Sequence, residues 1–225
     1  MAALATACAG PQSALDPAGP AAGAIATGWW LMAAGALVAW ALVLALAALA
    51  MRRRSHLAPA SAGRMILAGG IVLPTTLLAA LLVYGTVASD RITGARAQAD
   101  LAVQVTARRW SWEFEYLDAD GAVVALSIDE LALPRGRMVE FRVDSEDVIH
   151  SFWIPRLGGK IDAIPGRRNV LRLRADAAGP MRGQCAEFCG LEHAHMAFDV
   201  AVLEPDEFAR WLDERAVAGT GGVGR

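Results

Sequence analysis

The residues best suited to chemistry lie in one short run, GQCAEFCGLEHAHM, residues 183–196. Cys185, Cys189 and His193 fall at four-residue intervals, and Met196 follows three later. His150, well upstream, opens another strand-like segment. Thiolate, imidazole and thioether are soft or borderline donors, and together they select copper over hard cations. A mononuclear blue-copper site needs two His, one Cys and a weak axial Met. This chain offers one thiolate more. Two thiolates can bridge two coppers, leaving each metal an imidazole and a weak axial donor. Two other readings use the same side chains. A structural zinc site would take Cys185, Cys189, His193 and His150, and it leaves Met196 without a purpose. A disulfide between Cys185 and Cys189 suits an exported domain. Met196 also begins the alternating run Met196, Phe198, Val200, Val202, which suits a strand core.

These side chains belong to a region patterned for strands. Short runs follow one another with turn residues between them: LAVQVTA (101–107), WSWEFEY (110–116), AVVALSI (122–128), RMVEFRV (137–143), VIHSFWI (148–154), NVLRLRA (169–175) and MAFDVAVL (196–203). Strands at this spacing predict an all-β sandwich or barrel. The ligand run joins two of them. The segment PDEFARWLDERA (205–216) puts Phe208, Trp211 and Leu212 on one helical face, and the Gly-rich end is expected to fray.

Hydrophobic residues make up 55% of the 225, too many for an ordinary soluble domain. The excess sits between Ile25 and Val87. Residues 28–51 (GWWLMAAGALVAWALVLALAALAM) and 65–89 (MILAGGIVLPTTLLAALLVYGTVAS) carry no charge. At about 1.5 Å per residue, each can cross a hydrocarbon core of about 30 Å. Pro74 is tolerable inside a lipid-embedded helix, and Trp29, Trp30 and Tyr84 fall near the ends of the spans, where rings favour the interface. The loop 52–64 holds Arg52, Arg53, Arg54 and Arg64 and no acid. Such a loop stays cytoplasmic, which puts both termini outside. The arm 1–27 has Asp16 as its single charge, as suits export. Its ALATAC start loosely resembles a lipoprotein cleavage site at Cys8, without the basic beginning of a leader. From Asp100 onward there are 21 acids and 15 bases, against 2 and 6 before it. The exported domain is acidic and the anchor basic, and no nucleic-acid partner is expected.

The motifs SEDVIHSFWIP (145–155), GGKIDAIPGRRN (158–169) and GQCAEFCGLEHAHM (183–196) make the chain resemble subunit II of the haem–copper cytochrome c oxidases of bacteria. The resemblance runs from the first span to the C-terminal helix. It implies a two-helix transmembrane hairpin followed by an all-β cupredoxin-like Greek-key barrel. On that basis 1–27 is an exported arm, a remnant of a lipoprotein leader being one account of it. Residues 28–51 and 65–89 are the transmembrane helices and 52–64 the cytoplasmic loop. Residues 100–204 are the cupredoxin-like domain, and 205–225 the C-terminal helix and flexible tail. The resemblance also implies a binuclear copper centre, CuA, in an inner-membrane protein. Cys185 and Cys189 would bridge the coppers, with His150 and His193 each on one metal. Met196 and the Glu187 carbonyl would be the weak axial donors. The Glu187 side chain would reach a Mg2+ ion shared with the catalytic subunit. Asp162 and Arg167 would face that subunit near its haem propionates. His195 matches no ligand position.

The segment RRWSWEFEY (108–116) corresponds to the family's aromatic patch, with Trp110 where electrons arrive from cytochrome c and Ser111 where another aromatic residue usually stands. A plainer account has Trp110 and Trp112 packing on one face of a strand. Between Trp110 and His150 acids greatly outnumber bases, and Glu113, Glu115, Asp118, Glu146 and Asp147 are the candidate docking groups for a cationic donor. The implied function is single-electron transfer from cytochrome c through CuA to haem in subunit I, alongside subunit III. Oxygen reduction to water would be coupled to proton transport. The carboxylate that many members carry near the start of the second span is missing: Leu67 stands there, with His56 the nearby group that titrates near neutrality. No C-x-x-C-H haem motif occurs in this sequence, and a separate donor protein is expected. Two alternatives stay open: the CuA subunit of a nitric oxide reductase, and a membrane-tethered copper carrier with an exchangeable site.

Overall fold

The computed structural model describes residues 8–53 and 59–217. The arm before Cys8, Arg54 and His56 in the connecting loop, and the tail 218–225 lie outside the described residues. The chain divides into two units, Thr27–Ser89 on the one hand and Met1–Ala26 with Asp90–Arg225 on the other.

The first of these is built from two apolar helices. Helix α1 (Pro20–Arg53) opens on a proline, whose missing N–H costs nothing in the first turn. The second run is helical in three parts: α2 (Pro59–Leu67), a wide π turn (Ala68–Val72) and α3 (Leu73–Thr93). The Leu73 N–H bonds to the Ala68 carbonyl, five residues back. This widening lies directly ahead of Pro74, which has no N–H to donate and whose ring crowds the carbonyl four residues earlier. Both helices start earlier than the uncharged runs, because the Ala-rich flanks PAAGAIA and PASAG favour helix as well. Both are long and apolar enough to cross a membrane, and their large side chains are exposed along their length.

The other unit is a two-sheet β structure. Its strands are β1 (Leu101–Arg108), β2 (Ser111–Leu117), β3 (Val123–Ile128), β4 (Glu130–Pro134), β5 (Met138–Ser145), β6 (His150–Trp153), β7 (Ile161–Ala163), β8 (Asn169–Arg174), β9 (Gly179–Cys185) and β10 (Ala197–Leu203). One sheet has the order β3-β2-β1-β5-β8 and the other β4-β10-β9-β6-β7. Alternation in β2 turns Trp112, Phe114 and Tyr116 inward, where they are fully buried. Phe152 of β6 stacks on Phe198 of β10 with ring centroids 5.3 Å apart. Burying each such ring stabilises the fold by about 2–3 kcal/mol. Gly183 on β9 is required by this stack, since a Cβ there would run into the Phe198 ring. Helix α4 (Pro205–Glu214) buries Phe208 and Trp211, both against Tyr116.

The N-terminal arm is part of this unit. The Ala18 N–H bonds to the Arg156 carbonyl at 2.8 Å, and the Ala18 carbonyl accepts from the Asp176 N–H at 2.8 Å. The Arg182 N–H bonds to the Pro11 carbonyl at 3.0 Å, and Asp16 pairs with Arg156 at 3.0 Å. Ala18, Ala21 and Ala22 are buried, small enough to let the backbones meet.

Glu140 of β5 ties the first sheet together, binding Arg172 of β8 at 2.6 Å and Arg142 at 2.9 Å. Burial pushes its carboxyl pKa up, but the two guanidiniums outweigh burial and hold it below the usual range. A lowered folded value stabilises fully above the unfolded value of about 4.3, and the effect is lost as pH falls through the folded value. Glu140→Gln is expected to cost about 1 kcal/mol at pH 7 and almost nothing near pH 2. Thermal unfolding of the detergent-solubilised chain at the two pH values checks this, and equal losses would assign the effect to packing.

Candidate metal centre

The β6–β9 pairing sets the site. Phe152 lies opposite Cys185 in the register, so His150 and the end of β9 arrive on one edge of the sheet. The loop from Cys185 to Met196 is closed at its base by the Cys185 N–H, which donates to the Met196 carbonyl at 2.8 Å. Inside the loop the His193 N–H bonds to the Gly190 carbonyl, and a 3₁₀ turn (His193–His195) carries the chain to Met196. The Ala186 N–H bonds to the Ser151 carbonyl at 2.9 Å, which fastens the loop to β6.

All six expected donors meet. The Cys185 and Cys189 sulfurs are 3.8 Å apart. Cys185 Sγ lies 3.7 Å from His150 Nδ1 and 3.2 Å from the Glu187 carbonyl. Cys189 Sγ lies 3.6 Å from His193 Nδ1 and 3.7 Å from Met196 Sδ. Each thiol thus has one imidazole and one weak donor beside it. His150, Cys185, Cys189 and Met196 are buried and His193 partly so. The described cysteines are all free, so no disulfide joins Cys185 to Cys189. A tetrahedral zinc site would be filled by the two thiolates and two imidazoles. It would leave the Met196 sulfur and the Glu187 carbonyl without a metal to face. Burial, then the charge of the neighbouring Cys185, pushes the Cys189 thiol up to about 12. A metal must therefore displace a proton to bind there.

The expected docking carboxylates are placed unequally. Asp147 sits behind the site: its Oδ1 is 2.9 Å from His150 Nε2, and its Oδ2 accepts from the Arg109 N–H at 2.8 Å and Arg109 Nε at 3.1 Å. Burial acts upward on its pKa, but the bonds from His150, the Val148 N–H and Arg109 outweigh it and hold the carboxyl well below the usual range. A carboxylate can only accept, so the His150 proton belongs on Nε2, and Nδ1 turns its lone pair toward Cys185. Glu113 and Glu146 both bind Arg108, at 3.2 and 3.0 Å. Glu115 is partly buried, and burial followed by Glu113 and Asp144 raises its pKa. Asp118 lies beyond the far end of β2. Trp110 is exposed, and its indole rests on Gly190, where an added Cβ would come within 3.2 Å of the ring. Trp112 is core, edge-on to His150 with centroids 6.1 Å apart. The Glu187 carboxylate turns away from the sulfurs to Lys160 Nζ at 3.3 Å, and Asp162 lies 4.0 Å from the same ammonium. Arg167 is exposed on the turn after β7, and His195 is exposed against Glu192.

Sequence reasoning missed the orienting role of Asp147, the seat that Gly190 gives Trp110, and the Lys160 bridge. The first had a signal in the D-x-x-H spacing before the strand. Arg108 and Arg109, just upstream of Trp110, supply the cations that pair with Glu113, Glu146 and Asp147.

The sequence model described as cytochrome C oxidase subunit II, periplasmic domain, matches residues 119–203. The cytochrome c oxidase subunit 2 of Alkalihalophilus pseudofirmus is 40% identical over 111 residues, 49% of this chain and 31% of that relative. The probable cytochrome c oxidase subunit 2 of Rickettsia bellii is 33% identical over 132 residues, 51% of this chain and 49% of the relative. The chain therefore spans less than half the length of both. The crystal structure of the periplasmic domain of subunit II of cytochrome oxidase of Bradyrhizobium japonicum aligns with a TM-score of 0.49 and 33% identity, covering 52% of this chain and 94% of that one.

The thiol chemistry is directly testable. The thiolate is the nucleophile, so in the metal-free chain iodoacetamide is expected to modify exposed Cys8 well before Cys189 near pH 7. Alkylation of Cys189 should climb as pH rises toward about 12. Peptide mass spectrometry over a pH series checks both, and equal neutral-pH rates would contradict the burial of Cys189.

Proposed function

The chain belongs to the cytochrome c oxidase subunit II family, and from that premise we propose that it receives single electrons from a cytochrome c at a binuclear CuA centre. It passes them to a haem of the catalytic subunit, where O2 is reduced to water with coupled proton transport. The family implies a copper centre, and the observation that carries the reading is the six-donor cluster, buried at His150, Cys185, Cys189 and Met196, around sulfurs 3.8 Å apart. A copper pair bound there supplies a one-electron acceptor and donor.

The residues of this chain divide the remaining work. The Cys185 and Cys189 thiolates, the His150 and His193 imidazoles, the Met196 sulfur and the Glu187 carbonyl would hold the copper pair. Asp147 fixes the tautomer of His150. The tied loop and the aromatic floor of Trp112, Phe152 and Phe198 exclude water and keep the donors in place, so that little has to move when charge changes. Burial of this kind favours a resident centre over an exchangeable carrier site. Trp110, resting on Gly190 beside Cys189, is the electron inlet. The Glu187 carboxylate, paired with Lys160 in this chain, would be free to hold a Mg2+ ion at the border with the catalytic subunit once that pair opened, and Asp162 and Arg167 would face that subunit. Subunit III belongs to the same complex.

The two apolar helices and the match to a periplasmic domain fit a membrane protein. Its place is the bacterial inner membrane, with both termini and the cupredoxin-like domain on the outer side, as the arginines of the 52–64 loop favour.

Copper loading of the purified chain tests the assignment. Two coppers per chain and a purple colour are expected from a thiolate-bridged pair. Met196→Leu should retain the metal with an altered potential, whereas Cys185→Ser should abolish the two-metal spectrum. A single copper, or a colourless zinc protein, would sink the mechanism.

A further inference from the structure

Helix α1 runs unbroken from Pro20 to Arg53, whereas the hydrogen-bond ladder of the second apolar segment is interrupted at Gly69. A helical carbonyl accepts from the N–H four residues on, or in a π turn from the one five on. For Gly69 these are Leu73 and Pro74. The Leu73 N–H goes to the Ala68 carbonyl, and Pro74 has no N–H. The Gly70 carbonyl loses its α-helical donor to the same proline. Among the described residues no side chain makes up the loss. Thr76 Oγ1, in the next turn, donates to the Val72 carbonyl at 2.8 Å.

Depth makes the orphaned acceptor costly. Gly69 lies eight residues from Leu77, the middle of the uncharged run 65–89. That is about 12 Å along the axis at about 1.5 Å per residue. A hydrocarbon core of about 30 Å extends about 15 Å either side of its middle, so the carbonyl falls inside it. Acyl chains offer no donor there. The surface around the carbonyl is open: Gly69 and Gly70 are exposed, and a Cβ added to either would meet nothing within 4 Å. Two adjacent residues without side chains let a neighbouring helix come close. A water in the same place would need further partners of its own, which lipid does not supply. A hydroxyl carried on a packed helix brings the donor and covers the gap together.

Resting on the place in an oxidase complex proposed above, we propose that Gly69 and Gly70 form an acceptor notch within the membrane, filled by a hydrogen-bond donor on a transmembrane helix of the catalytic subunit. The donor is a short hydroxyl side chain, serine or threonine, that reaches the Gly69 carbonyl while its helix packs on the glycines. Elsewhere the helix offers its neighbour apolar side chains, which specify little about register. The notch fixes that register at one level of the bilayer.

The test uses the assembled complex, immobilised through this chain and washed with rising detergent, and reads release of the catalytic subunit. In Pro74→Ala residue 74 regains an N–H, the ladder closes, and both glycines stay. Release is expected to rise about three- to tenfold, the range an interhelical hydrogen bond commands. Gly69→Leu fills the gap and should release at least as much. Both variants should keep the copper content and visible spectrum of the β unit. A photo-crosslinking side chain at Leu73, one turn from Gly69, should join this chain to a catalytic-subunit helix bearing a serine or threonine. Replacing that hydroxyl should weaken the unmodified complex and add nothing to Pro74→Ala. Unchanged release in Pro74→Ala overturns the proposal, even where Gly69→Leu loosens the complex, because close packing or a bound water then suffices. Crosslinks to lipid alone overturn it as well. If the unmodified chain retains no catalytic subunit, the placement in an oxidase fails, and the notch with it.

Discussion

The hydrogen bond from the Cys185 N–H to the Met196 carbonyl joins the fold to the chemistry. It ties both ends of the donor loop to the β9–β10 ladder, so the cost of ordering the loop falls on a sheet that is already formed. His150 arrives separately, through the register that sets Phe152 opposite Cys185. A slip of one residue in that register would turn His150 away from the sulfurs and Ser151 toward them. The Phe152–Phe198 stack lies on the same two strands, so packing and donor placement constrain one another.

Much of this was legible from residue types alone. The two uncharged runs, the alternating strands and the soft-donor cluster are local patterns, and the structure contains each. Strands β4 and β9 were hidden because ELALP ends in proline and GPMRGQC begins with glycine and proline, residues that ordinarily mark turns. Gly183 reads as a breaker until the Phe198 ring is seen above it, and that ring comes from a distant part of the sequence. The arm before the first span has no periodicity, because backbone hydrogen bonds hold it, and composition does not announce them. Within the site, donor identity was readable and donor orientation was not. Asp147 looks like one more surface acid until His150 Nε2 is found against it.

Burial and the neighbouring Cys185 raise the Cys189 thiol, which favours its protonated form while no metal is bound. Burial that excludes water from the centre also opposes the thiolate, so the fold alone does not prepare the charged form. Metal uptake and proton release are one event here, and affinity must rise with pH.

The arm also carries a topological consequence. Residues just ahead of the first apolar helix bond to the β unit that follows the second, through Ala18 with Arg156 and Asp176 and through Pro11 with Arg182. Two segments that share hydrogen bonds lie on one side of any bilayer. The chain between Ala26 and Asp90 must therefore cross an even number of times, whichever side the β unit occupies. A few backbone hydrogen bonds thus impose a parity rule on how the chain threads through the lipid.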